Sequence, residues 1–367
     1  MPAILSAREL AAALSLRDLT DDHSDDSTGG PHAVRLIADA ITQATGTAYP
    51  AAEIRPLHDH PLVPVEDNYE KLGYPPDAVT RDARYTRYAS ETCMLRSHTT
   101  AMIPPALREI AREPVPDTVL ICRGVVYRRD VVDRVHTGTP HQMDLWRVTS
   151  GPLMTPADLD ALVDTAVHAA LPGAVYRAVP ASHPYTESGR QIDVLVDGEW
   201  LEVAECGLAA RHVLARAGLG DHVSGLAMGL GLDRLVMLRK RITDIRLLSS
   251  ADPRIAGQML DLSVYRPVSK HPPITRDVSV AVDVDADAET LGAVVRDTIG
   301  SSAVEEVLVL GETGLDKLPP AAIDRLGIRP GQKNVLLRVV LRHPSRTMSD
   351  EEANTLRDRI YEALSTP

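Results

Sequence analysis

Three stretches in the middle of the chain alternate apolar and polar residues: VLICRGVVYRR (119–129), QMDLWRV (142–148) and QIDVLVDGEWLEVAECG (191–207). A period of two predicts strands with one face buried. Asp197-Gly198 inside the third stretch is a hairpin turn signal, so the strands are expected to form an antiparallel sheet. Residues 225–239, GLAMGLGLDRLVMLR, read as a strand or glycine-rich turn that runs into a helix. Helical spacing predicts one helix from Ala33 to Thr45 and another over Pro156–Ala170, the latter with Thr155 as cap and proline at its first position. A short amphipathic stretch opens the chain, and an acidic, Ser- and Gly-rich loop follows at 20–32. From Pro50 to Arg87 little periodicity is visible, which suggests an irregular segment or the edge of a larger domain.

Near 264–275 three prolines interrupt any regular element. Beyond them come a strand (DVSVAVDVD), a helix closed by glycine (AETLGAVVRDTIG), two more strands (EEVLVLGE, NVLLRVVLRH) and a capped helix (SDEEANTLRDRIYEAL). That β-α-β-β-α order fits a small ferredoxin-like module, βαββαβ when complete. The expected organisation is a helical and irregular segment (1–90), a core (91–263), a linker (264–275) and a C-terminal domain (276–367), an α+β fold without internal repeats.

Composition sharpens this picture in one respect. The 367 residues include ten Tyr and two Trp but no Phe, so the core must be built from Leu, Val, Ile, Ala and Met. The formal charge of −12 argues against a chain that coats nucleic acid or an anionic membrane non-specifically, while leaving room for a local basic groove. Cys93, Cys122 and Cys206 are odd in number and widely spaced, which predicts neither a disulfide framework nor a zinc site and fits a reducing cytoplasm. No segment has the roughly 18 apolar residues of a membrane span.

Three separated segments carry candidate chemistry. Arg128, Arg129 and Asp130 are followed by Asp133 and His136, then by His141-Gln142-Met143-Asp144 on the next strand. Arginines there can grip phosphates in a forked geometry that lysine cannot match. Glu202, in WLEVAECG, is suited to holding magnesium against phosphates. Gly231 and Arg234, in GLGLDR, would let backbone approach a ligand and add a phosphate partner. Alone, the first segment reads as a solvated strand end and the third as a helix start with tolerated glycines. Together they describe a nucleotide site on a sheet.

The sequence YRRDVVDRVHTGTPHQMD (127–144) resembles the motif 2 region of phenylalanyl-tRNA synthetase catalytic subunits. WLEVAECG resembles their conserved strand, and SGLAMGLGLDRLVML resembles motif 3 of class II aminoacyl-tRNA synthetases. LRSHTT (95–100), HPYTES (183–188) and TDIRLL (243–248) extend the match, and the last hundred residues look like the ferredoxin-fold anticodon-binding domain of the single-chain organellar form. The resemblance implies a class II antiparallel-sheet catalytic domain that uses ATP and Mg2+. Arg128 would bind the α-phosphate, Asp130 the adenine amino group, Arg234 and His136 the outer phosphates, and Glu202 the metal. His98, Thr100, Gln142 and Asp144 would receive the substrate's α-amino group.

Where the family has Phe-Pro-Phe, this chain has His183-Pro184-Tyr185, and where the family has glycine before Cys206 it has Glu205. The family's Glu after His-Gln-Met is shortened to Asp144, and the small residue Ala227 is kept. A carboxylate at position 205 must be paired or neutralised, so it is expected to meet a polar substrate group or His183, or else to point away. The expected function is activation of phenylalanine or a phenylalanine-like amino acid as its adenylate, then transfer to tRNA, in a cytoplasmic monomer or homodimer. Arg338, Arg342 and Arg346 would line one face against RNA, although an ordinary charged strand surface reads equally well. A tRNA-independent activator serving biosynthesis and a non-catalytic regulatory binder are the alternatives.

Overall fold

The computed structural model describes residues 4–21, 30–82, 85–128, 133–268, 271–300, 303–343 and 345–365. Asp130 and most of the acidic loop lie outside these residues. The chain divides into two compact units: 1–128 with 139–242 and 259–264, and 129–138 with 243–258 and 265–367. The described residues 133–138 and 243–258, placed by sequence in the 91–263 segment, thus group with the C-terminal part of the chain.

In the first unit the elements are α1 (Ala7–Leu14), α2 (Ala33–Ala48), β1 (Glu53–Leu57), β2 (Leu62–Pro64), α3 (Val65–Asn68), β3 (Cys93–Leu95), α4 (Ile103–Arg112), β4 (Asp117–Val125) and β5 (His141–Thr149). They continue with α5 (Pro156–Ala170), β6 (Tyr176–Pro180), β7 (Thr186–Val196), β8 (Glu199–Ala209), α6 (Arg211–Arg216), β9 (Ser224–Gly231) and α7 (Leu232–Lys240). Seven strands form a sheet in the order β1-β4-β5-β9-β8-β7-β6. Every neighbouring pair is antiparallel except β1 with β4, which run parallel. The sheet is therefore mixed, and its edge strand comes from the 50–87 segment that showed no periodicity, because β1 is short and carries Pro56. Asp197 and Gly198 join β7 to β8 with φ of 50° and 90°, the left-handed pair that a tight hairpin requires. The predicted helix 33–45 runs on to Ala48, and Thr155 caps α5 as expected.

Antiparallel partners share a face. One face carries Leu145, Met228 and Cys206 in a row and is covered by α5 and α7. Ile37 and Ile41 of α2 and Leu159, Leu162 and Val163 of α5 are buried there. On the opposite face, α4 and α6 contribute Leu107, Ile110, Val213 and Leu214 to a core that includes Trp146 and Ala227.

The second unit contains α8 (Pro253–Ala256), β10 (Ile274–Asp283), α9 (Ala288–Ile299), β11 (Val304–Gly314), α10 (Pro320–Leu326), β12 (Gln332–Leu341) and α11 (Asp350–Ser365). Its sheet has three antiparallel strands in the order β10-β12-β11. Val280, Val335, Leu337 and Val339 pack with Leu291, Val295 and Ile360. Two details depart from the βαββαβ expectation: α10 intervenes between the second and third strands, and no fourth strand follows α11 among the described residues. β10 begins at Ile274, inside the segment read as linker, because only Pro272 and Pro273 immediately precede it.

Candidate active site

The register of the large sheet builds the site. Cys122, Asp144, Gly229, Glu205 and Gln191 stand opposite one another across β4, β5, β9, β8 and β7, so the side chains among them rise from one face. Two residues along β5 in one direction, Gln142 faces Gly231; two in the other, Trp146 faces Ala227, which faces Gly207. On β9 every second residue is small (Gly225, Ala227, Gly229, Gly231), and the residues between are Leu226, Met228 and Leu230. That period gives a strand buried on one face and bare on the other. A Cβ added at Gly229 would come 3.8 Å from the Asp144 carboxylate, so glycine keeps the floor low there.

Asp144 is 2% exposed and accepts hydrogen bonds from Thr99 Oγ1 (2.5 Å) and Thr100 Oγ1 (2.9 Å). Burial outweighs those bonds and pushes its carboxyl up to about 6. Two strands away Glu205 behaves oppositely. His183 Nε2 lies 3.4 Å from its Oε1 and holds its carboxyl below the usual range. Of the outcomes expected for Glu205, pairing with His183 is the one observed. His183 stacks on Tyr185 (centroids 5.9 Å apart), and Tyr185 lies against Trp146 (6.2 Å). His98 stacks on Tyr74 at 5.6 Å, and burial brings its imidazole down to about 4, so it is neutral at pH 7. Arg128 acts electrostatically on His98, Tyr74 and Glu205, which places its charge over the same patch.

Glu202 reaches this face through a bulge. Gln191 pairs with Glu205 and Ile192 with Ala204, but Asp193 pairs with Glu202, leaving Val203 as an extra residue. Without it Glu202 would point to the helix-covered face. Burial and then the neighbouring Glu205 raise its carboxyl, while Arg234 counteracts them. Arg234 donates from Nη1 to the Glu202 carbonyl at 2.9 Å and sits in the first turn of α7, just past Gly231. A half-buried carboxylate crowded by another carboxylate is a fitting ligand for a divalent cation that also takes phosphate oxygens. Among the described residues no group of three or more His, Cys, Asp or Glu could hold a metal unaided.

The sheet thus brings Arg128, Gln142, Asp144, Glu202, Glu205, Ala227, Gly231 and Arg234 together with His98, Thr100, His183 and Tyr185. His136 lies in the second unit, its Nδ1 2.7 Å from Asp133 Oδ2. Sequence reasoning missed Thr99, Tyr74 and Trp146. Thr99 was signalled by its place beside Thr100, and Trp146 by its spacing of two from Asp144; nothing local marked Tyr74. In the second unit Arg338, Arg342 and Arg346 are each ion-paired, with Asp277, Glu305 and Glu352, rather than presented together as free cations.

Residues 27–259 match the family described as tRNA synthetases class II core domain (F). The chain is 29% identical over 317 residues to the chloroplastic/mitochondrial phenylalanine-tRNA ligase of Arabidopsis thaliana, covering 83% of this chain and 69% of that one. It is 27% identical over 395 residues to the probable mitochondrial phenylalanine-tRNA ligase of Drosophila melanogaster, covering 90% and 83%. With the phenylalanine-tRNA ligase alpha subunit of Nostoc punctiforme it shares 34% over 192 residues, covering 52% of this chain and 56% of the subunit. No helix among the described residues is long and apolar enough to cross a membrane.

Proposed function

The chain belongs to the class II tRNA synthetase core family, and on that premise we propose that it activates an amino acid with ATP and transfers it to tRNA. By kinship the amino acid is phenylalanine or a phenylalanine-like one. The observation that carries the reaction is the single sheet face from which Glu202 and the desolvated Asp144 rise, with Arg234 of α7 bonded to the Glu202 carbonyl and Arg128 acting electrostatically on Glu205. Arg128 takes the α-phosphate and Arg234 the outer phosphates. Bound with ATP, a magnesium ion supplies charge neutralisation at the phosphates, and Glu202 would hold it. Asp144, fixed by Thr99 and Thr100 and flanked by Gln142 and His98, receives the ammonium group, with Gly229 and Gly231 as floor. The amino-acid carboxylate then attacks the α-phosphorus in line, and positioning with charge neutralisation lowers the barrier.

The second unit is assigned the anticodon stem, as a ferredoxin-like module, on the strength of its three-stranded sheet and two packed helices. Cytoplasmic residence is likewise our proposal, resting on three cysteines that form no disulfide. Aminoacylation of a total tRNA pool by the full chain tests the transfer step. Labelled aminoacyl-tRNA is the expected product; robust ATP-pyrophosphate exchange with no charged tRNA would sink that step alone.

A further inference from the structure

The amino-acid end of the site is closed by a buried tryptophan. Along the ligand face, Gln142, Gly229, Gly231 and Glu205 are partly open to water, whereas Trp146, Ala227 and Gly207, two residues further on, are buried. Trp146 is fully buried, although a residue that merely walled an empty pocket would show surface to it. Its indole belongs to the core that α4 and α6 lay over Ala227, with Tyr185 beside it.

An amino acid whose ammonium sits on Asp144 and whose carboxylate turns to Arg128 has two directions left for its side chain. One leads over Ala227 into Trp146. The other leads across Gly229 toward Glu205, which is ionised, 44% exposed at its side chain and paired with His183. A carboxylate with free lone pairs accepts hydrogen bonds, and a site built around such a partner rejects analogues that leave it unsatisfied.

We infer that Trp146 and Glu205 determine specificity: Trp146 blocks an aromatic ring, and Glu205 selects a short side chain that carries a hydroxyl or amine donor. This rests on the adenylate-forming reading and replaces only the amino acid that kinship suggests. The test is ATP-pyrophosphate exchange by the full chain with L-phenylalanine, L-serine and L-2,3-diaminopropionate as probes. The unsubstituted chain is expected to use one of the short donors at least tenfold better than L-phenylalanine, by kcat/KM. Trp146→Ala should raise kcat/KM for L-phenylalanine at least tenfold, with Trp146→Leu as the smaller change should the first variant fold poorly. Glu205→Gly should erase the advantage of the short donors. L-phenylalanine as the best of the three probes for the unsubstituted chain, or no gain for it in either Trp146 variant, would overturn the inference and leave adenylation standing. Exchange with none of the proteinogenic amino acids or these probes would remove both.

Discussion

At the scale of single residues, the site depends on two carboxylates held in opposite states by their surroundings. Asp144 has two threonine hydroxyls and the Trp146 indole as partners in a dry setting and sits high, whereas Glu205 has an imidazole and sits low. Binding an ammonium group requires the ionised form of Asp144, and kcat/KM reports the free enzyme. The kcat/KM for the amino acid should therefore fall as pH drops through about 6, approaching tenfold per unit, while KM for ATP moves far less. An amino-acid profile flat between pH 5 and 7.5 would show that Asp144 does not take the ammonium. Thr100→Val removes one of the two hydroxyls that orient Asp144. It should raise the amino-acid KM by roughly tenfold, from a loss of about 1–3 kcal/mol, with kcat little changed. Thr100, Gln142 and Asp144 could be placed in the sequence because their motifs resemble a family. The pairing of Glu205 with His183 emerged as one of three outcomes, since choosing among them requires knowing where the segment before β7 runs relative to β8.

At the scale of elements, β9 makes the floor and β8 delivers the acids. The two glycines that face one side at neighbouring positions have different duties, which substitution should separate. Alanine at 229 meets nothing closer than 3.8 Å, so Gly229→Ala should leave the melting temperature nearly unchanged while cutting pyrophosphate exchange at least tenfold. Alanine at 207 would place its Cβ 2.6 Å from Thr186 Cβ, so Gly207→Ala should lower stability by about 1–3 kcal/mol. Equal effects of the two variants on melting and exchange would argue that β9 is only scaffold. Strand alternation, the Asp197-Gly198 turn and the caps were legible because they are local. The bulge at Val203 was not, since an extra residue becomes visible only when two strands are set in register. Nor was β1, whose parallel pairing with β4 depends on a partner some sixty residues away.

At the scale of the molecule, both units build their cores without phenylalanine. Valine and leucine dominate the smaller one, and Trp146 with Tyr69, Tyr88, Tyr127 and Tyr185 supplies the aromatic bulk of the larger. Composition announced that exclusion, but where the remaining aromatics gather is set by the sheet. The central claim is that this face of the sheet makes an aminoacyl-adenylate. Amino-acid-dependent ATP-pyrophosphate exchange, run on the full chain and on Arg128→Ala across the proteinogenic amino acids and the two short probes, tests it most directly. Exchange is expected with at least one amino acid, together with a loss of a hundredfold or more in Arg128→Ala for every substrate, corresponding to about 2.7 kcal/mol or more of transition-state stabilisation. Absence of exchange from the unsubstituted chain, or undiminished exchange in Arg128→Ala, would contradict it.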